Sequence, residues 1–178
     1  LMYRTSKLRE SKMDLPNHTF YVDDIYAYQP LPFMKKIFYH DIDLYHYFIG
    51  RADQSVNYGT MCKRYEQQMR VFKIMFTAYK YDEIIKQPKH LKKYMFKWLM
   101  TICGITIMTI VGTKEDKKKR WKVFHEYFDE LKGLDKKLYN KIRHRSLACF
   151  AFNLPGYGLK SFASKNGYKV FQKRLKLG

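Results

Sequence analysis

The sequence predicts an α+β fold that is predominantly helical, in which a short strand and hairpin portion precedes a helical bundle. Apolar and aromatic residues before Gly50 fall in short runs bounded by proline and acidic residues, as in strands. After Gly50 they recur every three or four residues, as on one face of a helix. With 46% hydrophobic and 17% aromatic residues, the 178-residue chain has enough apolar material to fold around a core.

The first predicted elements lie before Pro32. Thr19 to Val22 alternates weakly between polar and apolar residues, which indicates a short strand. Asp23 and Asp24 can open a helix, and the prolines at 30 and 32 would end it early. This part of the chain is therefore expected to hold a strand, a loop and a short helical turn.

A β-hairpin is predicted next. Lys36–Tyr39 and Leu44–Ile49 are aromatic and β-branched, and the tetrapeptide from His40 to Asp43 separates them. Asp41 and Asp43 also spell DxD, a spacing that can bind a divalent cation, with His46 close by. Two carboxylates without further oxygen ligands form a poor magnesium or manganese site, and acidic residues are common in turns, so we predict no metal site here.

Five helical segments are predicted after Gly50. The first carries an apolar stripe from Met61 to Tyr79, and the second runs from about Leu91 to Val111. The third has Thr113 as its N-cap, acidic residues in its first turn and Gly133 as its stop. The remaining two are a shorter helix over 135–147 and a basic helix over 158–175.

The most apolar run, from Trp98 to Val111, is about fourteen residues long, whereas roughly twenty are needed to cross a bilayer. Lys97 precedes it directly. A buried core helix is therefore the preferred interpretation, with shallow membrane contact as the alternative.

The formal charge is +19, from 35 Lys and Arg against 16 Asp and Glu. Such a charge attracts nucleic acid, anionic membranes and phosphorylated molecules alike. The basic residues are spread along the chain without a zinc-finger or RNA-binding motif, so we predict no specific nucleic-acid binding. Cys62, Cys103 and Cys149 are far apart in apolar surroundings, as reduced core cysteines of a cytoplasmic protein would be. The opening LMYRTSKLRE lacks a secretory signal and reads like the middle of a longer protein.

The adjacent carboxylates Asp23 and Asp24 are the chemically most suggestive pair. Two like charges this close raise the pKa of one of them, and a base that titrates near neutrality can take a proton from a sugar hydroxyl. The alternative is that these acids only cap a short helix.

The ordered motifs FYVDDIYAY, PLP, YHYFIGRADQSV and KRYEQQMRV resemble the C-terminal half of bacterial family-2 glycosyltransferases that build cell-surface polysaccharide. The resemblance is strongest between Tyr3 and Val71 and covers the helical tail only in general character. It implies that residues 1–57 are the end of a GT-A type nucleotide-diphospho-sugar transferase domain and 58–178 a helical C-terminal domain.

The resemblance implies an inverting sugar transfer from a nucleotide-diphospho-sugar to a saccharide or lipid-linked acceptor. The family has Glu-Asp at the base position, so Asp24 is preferred as the general base and Asp23 is the alternative. No cofactor is expected within this chain. A magnesium or manganese ion would belong with an N-terminal half that carries the metal-binding DxD.

Four further residues are candidates for substrate binding: Arg51, Gln54, Ser55 and His18. Arginine suits bidentate recognition of oxygen atoms. The alternatives are that Gln54 and Ser55 only stabilise the loop and cap the next helix, and that His18 is a surface histidine. For the chain as a whole, the alternative function is a non-catalytic module that docks a partner protein or an anionic membrane. The expected location is the cytoplasm, at the inner face of the plasma membrane.

Overall fold

The computed structural model describes residues 1–46, 48, 55, 57–145 and 166. Among these residues the chain is predominantly helical and contains no β-strand. The helices, in chain order, are α1 Thr5–Glu10, α2 Val22–Tyr28, a 3₁₀ turn Leu31–Phe33, α3 Tyr58–Lys63, α4 Tyr65–Ala78, α5 Tyr81–Ile85, α6 Lys89–Gly112, α7 Lys117–Leu134 and α8 Lys136–Arg145.

Helix α6 is the centre of the bundle, and α3, α4, α5, α7 and α8 all pack against it. Its buried residues include Leu99, Cys103 and Ile107, none more than 1% exposed. Two threonines within this apolar helix satisfy their hydroxyls locally, because Thr106 Oγ1 donates to the Ile102 carbonyl at 2.8 Å and Thr109 Oγ1 to the Thr106 carbonyl at 2.9 Å. The preference for a buried core helix at Trp98–Val111 is thus in agreement with its packing.

By length and mean hydropathy alone, Lys89–Gly112 also has the properties of a membrane span, with a value of 1.6 over its most apolar 18 residues. However, 61% of that window is buried inside the described fold. The core helix of a globular bundle gives the same hydropathy signal, so this helix is weak evidence for membrane insertion.

Helices α3 and α6 approach each other closely at Gly112. A β-carbon at this position would lie 2.2 Å from the Tyr58 hydroxyl oxygen and 2.7 Å from Cys62 Sγ. Glycine therefore permits this contact near the end of the central helix. Cys62 and Cys103 are both buried and in the reduced form, as predicted, and Cys149 lies outside the described residues.

The predicted strand at Thr19–Val22 is wrong: this segment is a turn that leads into α2 at Val22. The predicted hairpin is also absent from its described part, because residues 36–46 have no regular structure and their side chains are exposed. A strand depends on a paired neighbour and a packed face for its stability, and residues 36–46 have neither. Tyr47, Ile49 and Gly50 lie outside the described residues. The short helix that opens at the acid pair and ends before Pro30 is confirmed.

The predicted helices after residue 60 form with some changes at their ends. The stripe from Met61 to Tyr79 is divided at Arg64, which leaves helical geometry with φ −107° and separates α3 from α4. The N-cap of α7 is Asp116, not Thr113, because the Asp116 carboxylate accepts from two backbone N–H groups at 2.7 and 3.3 Å. Gly133 lies inside α7, which ends one residue later.

Helix α8 covers the predicted fourth helix as far as Arg145, and residues 146–147 lie outside the described range. The last predicted helix, over 158–175, also falls outside it, apart from Asn166, which is helical. Asp135 joins α7 to α8, since its side chain accepts from the Leu138 N–H at 2.9 Å at the start of α8. The Arg143 guanidinium lies 4.9 Å from the Phe128 ring centroid, which ties α8 to α7.

We predict that Leu99→Ala lowers the free energy of unfolding by about 2–5 kcal/mol, because the fully buried side chain at the centre of α6 would leave a cavity. Leu134→Ala is the control: Leu134 is 39% exposed, and its truncation should change stability by less than about 1 kcal/mol. Urea unfolding followed by circular dichroism measures both values. Equal losses in the two variants would contradict the central position of α6.

Candidate acid pair on helix α2

Asp23 and Asp24 lie in the first turn of α2, where negative charge interacts favourably with the helix N-terminus. The N-cap residue is Tyr21, in the left-handed region with φ 67°, and no side chain caps the helix. Neither carboxylate therefore occupies the N-cap position that the alternative interpretation assigns to the pair. On the other side of α2, Ile25 and Tyr28 are fully buried and fix the helix to the core.

The two carboxylates have different environments. Asp23 is exposed, whereas Asp24 is partly buried. Burial raises the pKa of Asp24 to about 7, and the neighbouring negative charge of Asp23 adds to this shift. At neutral pH, Asp24 can thus exchange a proton while Asp23 supplies a nearby charge.

An aromatic side chain of α6 lies near Asp24. Tyr94 lies close enough for the charge of Asp24 to raise the pKa of its hydroxyl, in addition to the larger effect of burial. The Tyr94 ring stacks on Trp98 with centroids 5.9 Å apart, and Tyr3 meets Tyr26 edge to face at 5.0 Å. We call Tyr3, Tyr26, Tyr94 and Trp98 the aromatic cluster. It brings together residues from before α1, from α2 and from α6.

The aromatic cluster contains two polar atoms without a hydrogen-bond partner in the described part of the chain, namely Tyr3 Oη and Trp98 Nε1. Buried donors usually have a partner, so an unsatisfied donor requires an explanation such as a functional role. The Tyr94 ring is 42% exposed. The cluster thus presents an aromatic surface to solvent close to a partly buried carboxyl group.

The loop before the acid pair is held by polar residues of α4 and by Arg64 at its N-cap. Gln67 Oε1 accepts from the Phe20 N–H at 2.8 Å, and the Arg64 guanidinium lies 3.6 Å from the Phe20 ring centroid. Arg70 donates to Thr19 Oγ1 at 3.4 Å. In the sequence these polar residues lie off the apolar stripe that runs from Met61 to Tyr79. All three residues belong to the motif KRYEQQMRV, which is the sequence signal that could have indicated their contacts with the loop.

The other predicted site residues are placed as follows. The Ser55 carbonyl accepts from the Tyr21 hydroxyl at 2.9 Å, so its backbone lies beside the start of α2. His18 is exposed and has a left-handed φ of 52°. Arg51 and Gln54 lie outside the described residues. The structure therefore connects the Ser55 backbone to the N-cap residue of α2, and gives no hydrogen bond or ion pair between His18 and the acid pair.

The described residues do not form a metal site. Asp41 and Asp43 are exposed, and Asp41 Oδ1 accepts from the Tyr39 hydroxyl at 3.3 Å. Within the described ranges, no three His, Cys, Asp or Glu side chains lie close enough together to hold an ion. The family resemblance assigns its divalent cation to an N-terminal half and not to these residues.

The fold and this site are those of a helical bundle with a carboxylate pair on a short peripheral helix. Comparison with protein-family models, with curated proteins and with solved structures found no match to the chain. Any functional proposal must therefore be based on the site itself and on the sequence motifs.

We predict that Asp24 makes the fold less stable as the pH rises. The folded chain holds the Asp24 proton more tightly than the unfolded chain does, because the pKa of Asp24 is about 7 in the folded chain and 3.8 in the unfolded chain. The resulting stabilisation is complete below pH 4 and disappears as the pH rises through 7, with an upper limit of about 4 kcal/mol that solvent screening reduces.

Asp24→Asn should therefore be more stable than the parent chain at pH 8, and this advantage should shrink toward pH 4. Urea unfolding at both pH values measures the difference. Asp23→Asn is the matched control: it keeps Asp24 but removes the repulsion, so the pH range of the effect should move to lower values. A stability difference for Asp24→Asn that does not change between pH 4 and 8 would contradict the assignment.

Proposed function

We propose that the chain is the C-terminal segment of an inverting glycosyltransferase, in which Asp24 is the general base and the aromatic cluster belongs to the acceptor side. The observation that carries this proposal is the position of Asp24, a partly buried carboxyl group that titrates near neutral pH beside the exposed Asp23. The ordered motifs from Tyr3 to Val71 support the same class of enzyme by resemblance.

In the proposed reaction, the Asp24 carboxylate accepts the proton of an acceptor hydroxyl. The hydroxyl oxygen then forms a bond to the anomeric carbon of the donor sugar while the bond to the nucleotide diphosphate breaks, with inversion at that carbon. A base with a pKa near the working pH combines a useful ionised fraction with sufficient basicity. Burial keeps the pKa of Asp24 high enough for this role, and the negative charge of Asp23 adds to the effect.

The Tyr94 ring supports an acceptor site at this place. It is exposed, it stacks on Trp98 and it lies within electrostatic range of Asp24. Aromatic rings with a few placed polar groups are the usual lining of small-ligand sites. A saccharide lying on Tyr94 would present its hydroxyl groups to Asp24.

On this proposal, a longer protein supplies the sheet that binds the nucleotide sugar, and the 178 residues alone are inactive. Arg51, Gln54, Ser55 and His18 stay candidates for substrate contacts. The donor is a nucleotide-diphospho-sugar, and the product is part of a cell-surface polysaccharide or lipid-linked saccharide. The basic surface, with a formal charge of +19, would favour a cytoplasmic enzyme at the inner face of the membrane.

We predict that Asp24→Asn in the full-length protein abolishes sugar transfer while nucleotide binding stays close to normal, because the amide cannot accept the acceptor proton. Transfer from a radiolabelled nucleotide sugar measures turnover, and calorimetry measures nucleotide binding. Asp23→Asn should retain turnover with a more acidic pH optimum. If both variants turn over as fast as the parent enzyme, the assignment of the base is wrong.

A second candidate function, the docking of a partner protein, is favoured by a run of exposed apolar side chains after the 3₁₀ turn. These side chains are between 59% and 86% exposed: Ile37, Phe38, Tyr39, Ile42, Leu44, Tyr45 and Phe48. Isolated exposed apolar residues are common in monomeric proteins, but a contiguous run indicates an interaction surface. In this case the chain would be an assembly module without chemistry of its own.

We predict for this second candidate that the chain self-associates weakly through the run, and that Phe38→Ser/Leu44→Ser abolishes the association. The control variant is Ile85→Ser/Leu134→Ser, because these apolar side chains are each 39% exposed elsewhere on the surface. Sedimentation equilibrium over a range of concentrations measures the association. A parent chain that stays monomeric throughout would exclude a second copy of this chain as the docked partner.

A further inference from the structure

A separate shallow cavity, largely open to solvent, lies between α5 and α8. The residues that line it are Tyr81, Lys137, Asn140, Lys141 and His144. Every one of these side chains carries a hydrogen-bonding group and none is acidic, so the walls favour an anion.

Four of the lining residues come from one helix face. Residues 137, 140, 141 and 144 follow the i, i+3, i+4, i+7 spacing that brings side chains together on an α-helix. Leu138 and Ile142, on a different face of α8, are 0% and 1% exposed and anchor the helix in the core. The core thus fixes the orientation of the basic face.

The opposite wall is fixed by backbone and ring contacts. The Tyr81 N–H donates to Asp135 Oδ2 at 2.8 Å, and Asp135 Oδ1 accepts from the start of α8, so one carboxylate joins the beginnings of α5 and α8. The Tyr81 and Phe96 ring centroids are 5.9 Å apart, and Lys141 Nζ lies 5.1 Å from the Phe96 ring centroid. The positions of α5 and α8 beside the cavity are therefore fixed before a ligand arrives.

An acid also contacts one of the lining lysines: the two oxygens of Asp82 lie 3.2 Å from Lys137 Nζ. The side chains of Lys137 and Asp82 are 68% and 60% exposed, and ion pairs this exposed contribute little free energy. A doubly charged anion in the cavity can therefore compete for Lys137. Lys141 and His144 add donors on the same wall.

We propose that this cavity binds a phosphate group. Lys137 and Lys141 would supply positive charge, and the Asn140 amide and the Tyr81 hydroxyl would donate hydrogen bonds that orient the oxygens. The phosphate belongs either to the headgroup of an anionic lipid or to a soluble phosphate ester. The proposal is independent of Asp24 and of the transferase reaction.

The test uses the full chain and two probes: inorganic phosphate, followed by NMR shifts of the backbone amides of α8, and vesicles of 30% phosphatidylserine in phosphatidylcholine, followed by co-sedimentation. The cavity variant is Lys137→Gln/Lys141→Gln. The matched control is Lys118→Gln/Lys122→Gln on α7, which makes the same change of charge at the same i, i+4 spacing on exposed lysines. Both variants should keep the helical circular dichroism spectrum of the parent chain.

The expected result is that the cavity variant weakens binding of at least one probe by about tenfold or more, because two charge-assisted contacts are lost. The control should weaken it by less than about twofold, since distant exposed charges are screened. Selective loss of vesicle binding identifies the lipid headgroup as the source, and selective loss of inorganic phosphate identifies a soluble ester. Equal loss in both variants with both probes would overturn the proposal.

Asn140→Leu separates a built site from general attraction to a basic surface. The substitution leaves the charge unchanged and removes two donors from an exposed position on the cavity wall. We expect it to weaken the affected probe about threefold to tenfold, as the loss of a hydrogen bond does. Binding that does not change would show that only the net charge matters, and the proposal would fail.

Discussion

The burial of helix α6 is the constraint on which the rest of the fold depends. Its segment from Leu99 to Val111 is almost free of charged groups, and leaving this surface in water would cost about 25 cal/mol per Å² of apolar area. Helices α3, α4, α7 and α8 cover it from different sides. The contact with α3 is close enough to require Gly112, and Thr106 and Thr109 remain tolerable inside because their hydroxyls bond to the helix itself.

Helix α2 is peripheral but precisely attached. Ile25 and Tyr28 enter the common core, and the preceding loop is fixed to α4 by Gln67 and Arg64. This attachment holds Asp24 in a partly buried position that its charged form would avoid if the helix were free. A group kept in an unfavourable environment by the surrounding structure is typical of functional sites, where stability is given up for reactivity.

The surface of the bundle is dominated by cations, which outnumber acids by 19 in the sequence. The ion pairs among the described residues, such as Lys137 with Asp82 and Lys122 with Glu126, are largely exposed and add little stability. The excess charge therefore matters for binding more than for folding. Lys137 and Lys141 carry part of this charge on the face of α8 that forms one wall of the cavity.

The helices could be predicted from the sequence, because an apolar stripe of period 3.6 is a local property. The ends of α4, α6 and α7 were predictable to within a few residues. The position of the acid pair at the start of a short helix was also predictable. The sequence pattern misplaced the strands at Thr19–Val22 and in residues 36–46, since a strand depends on a neighbour that a local pattern cannot supply. The adjacent charges predicted a raised pKa for one of the two acids, and the fold selects Asp24 by burying it. Burial raises its pKa, and Tyr94, seventy residues away in the chain, forms part of its surroundings. Sequence spacing contains no information on such a distant contact.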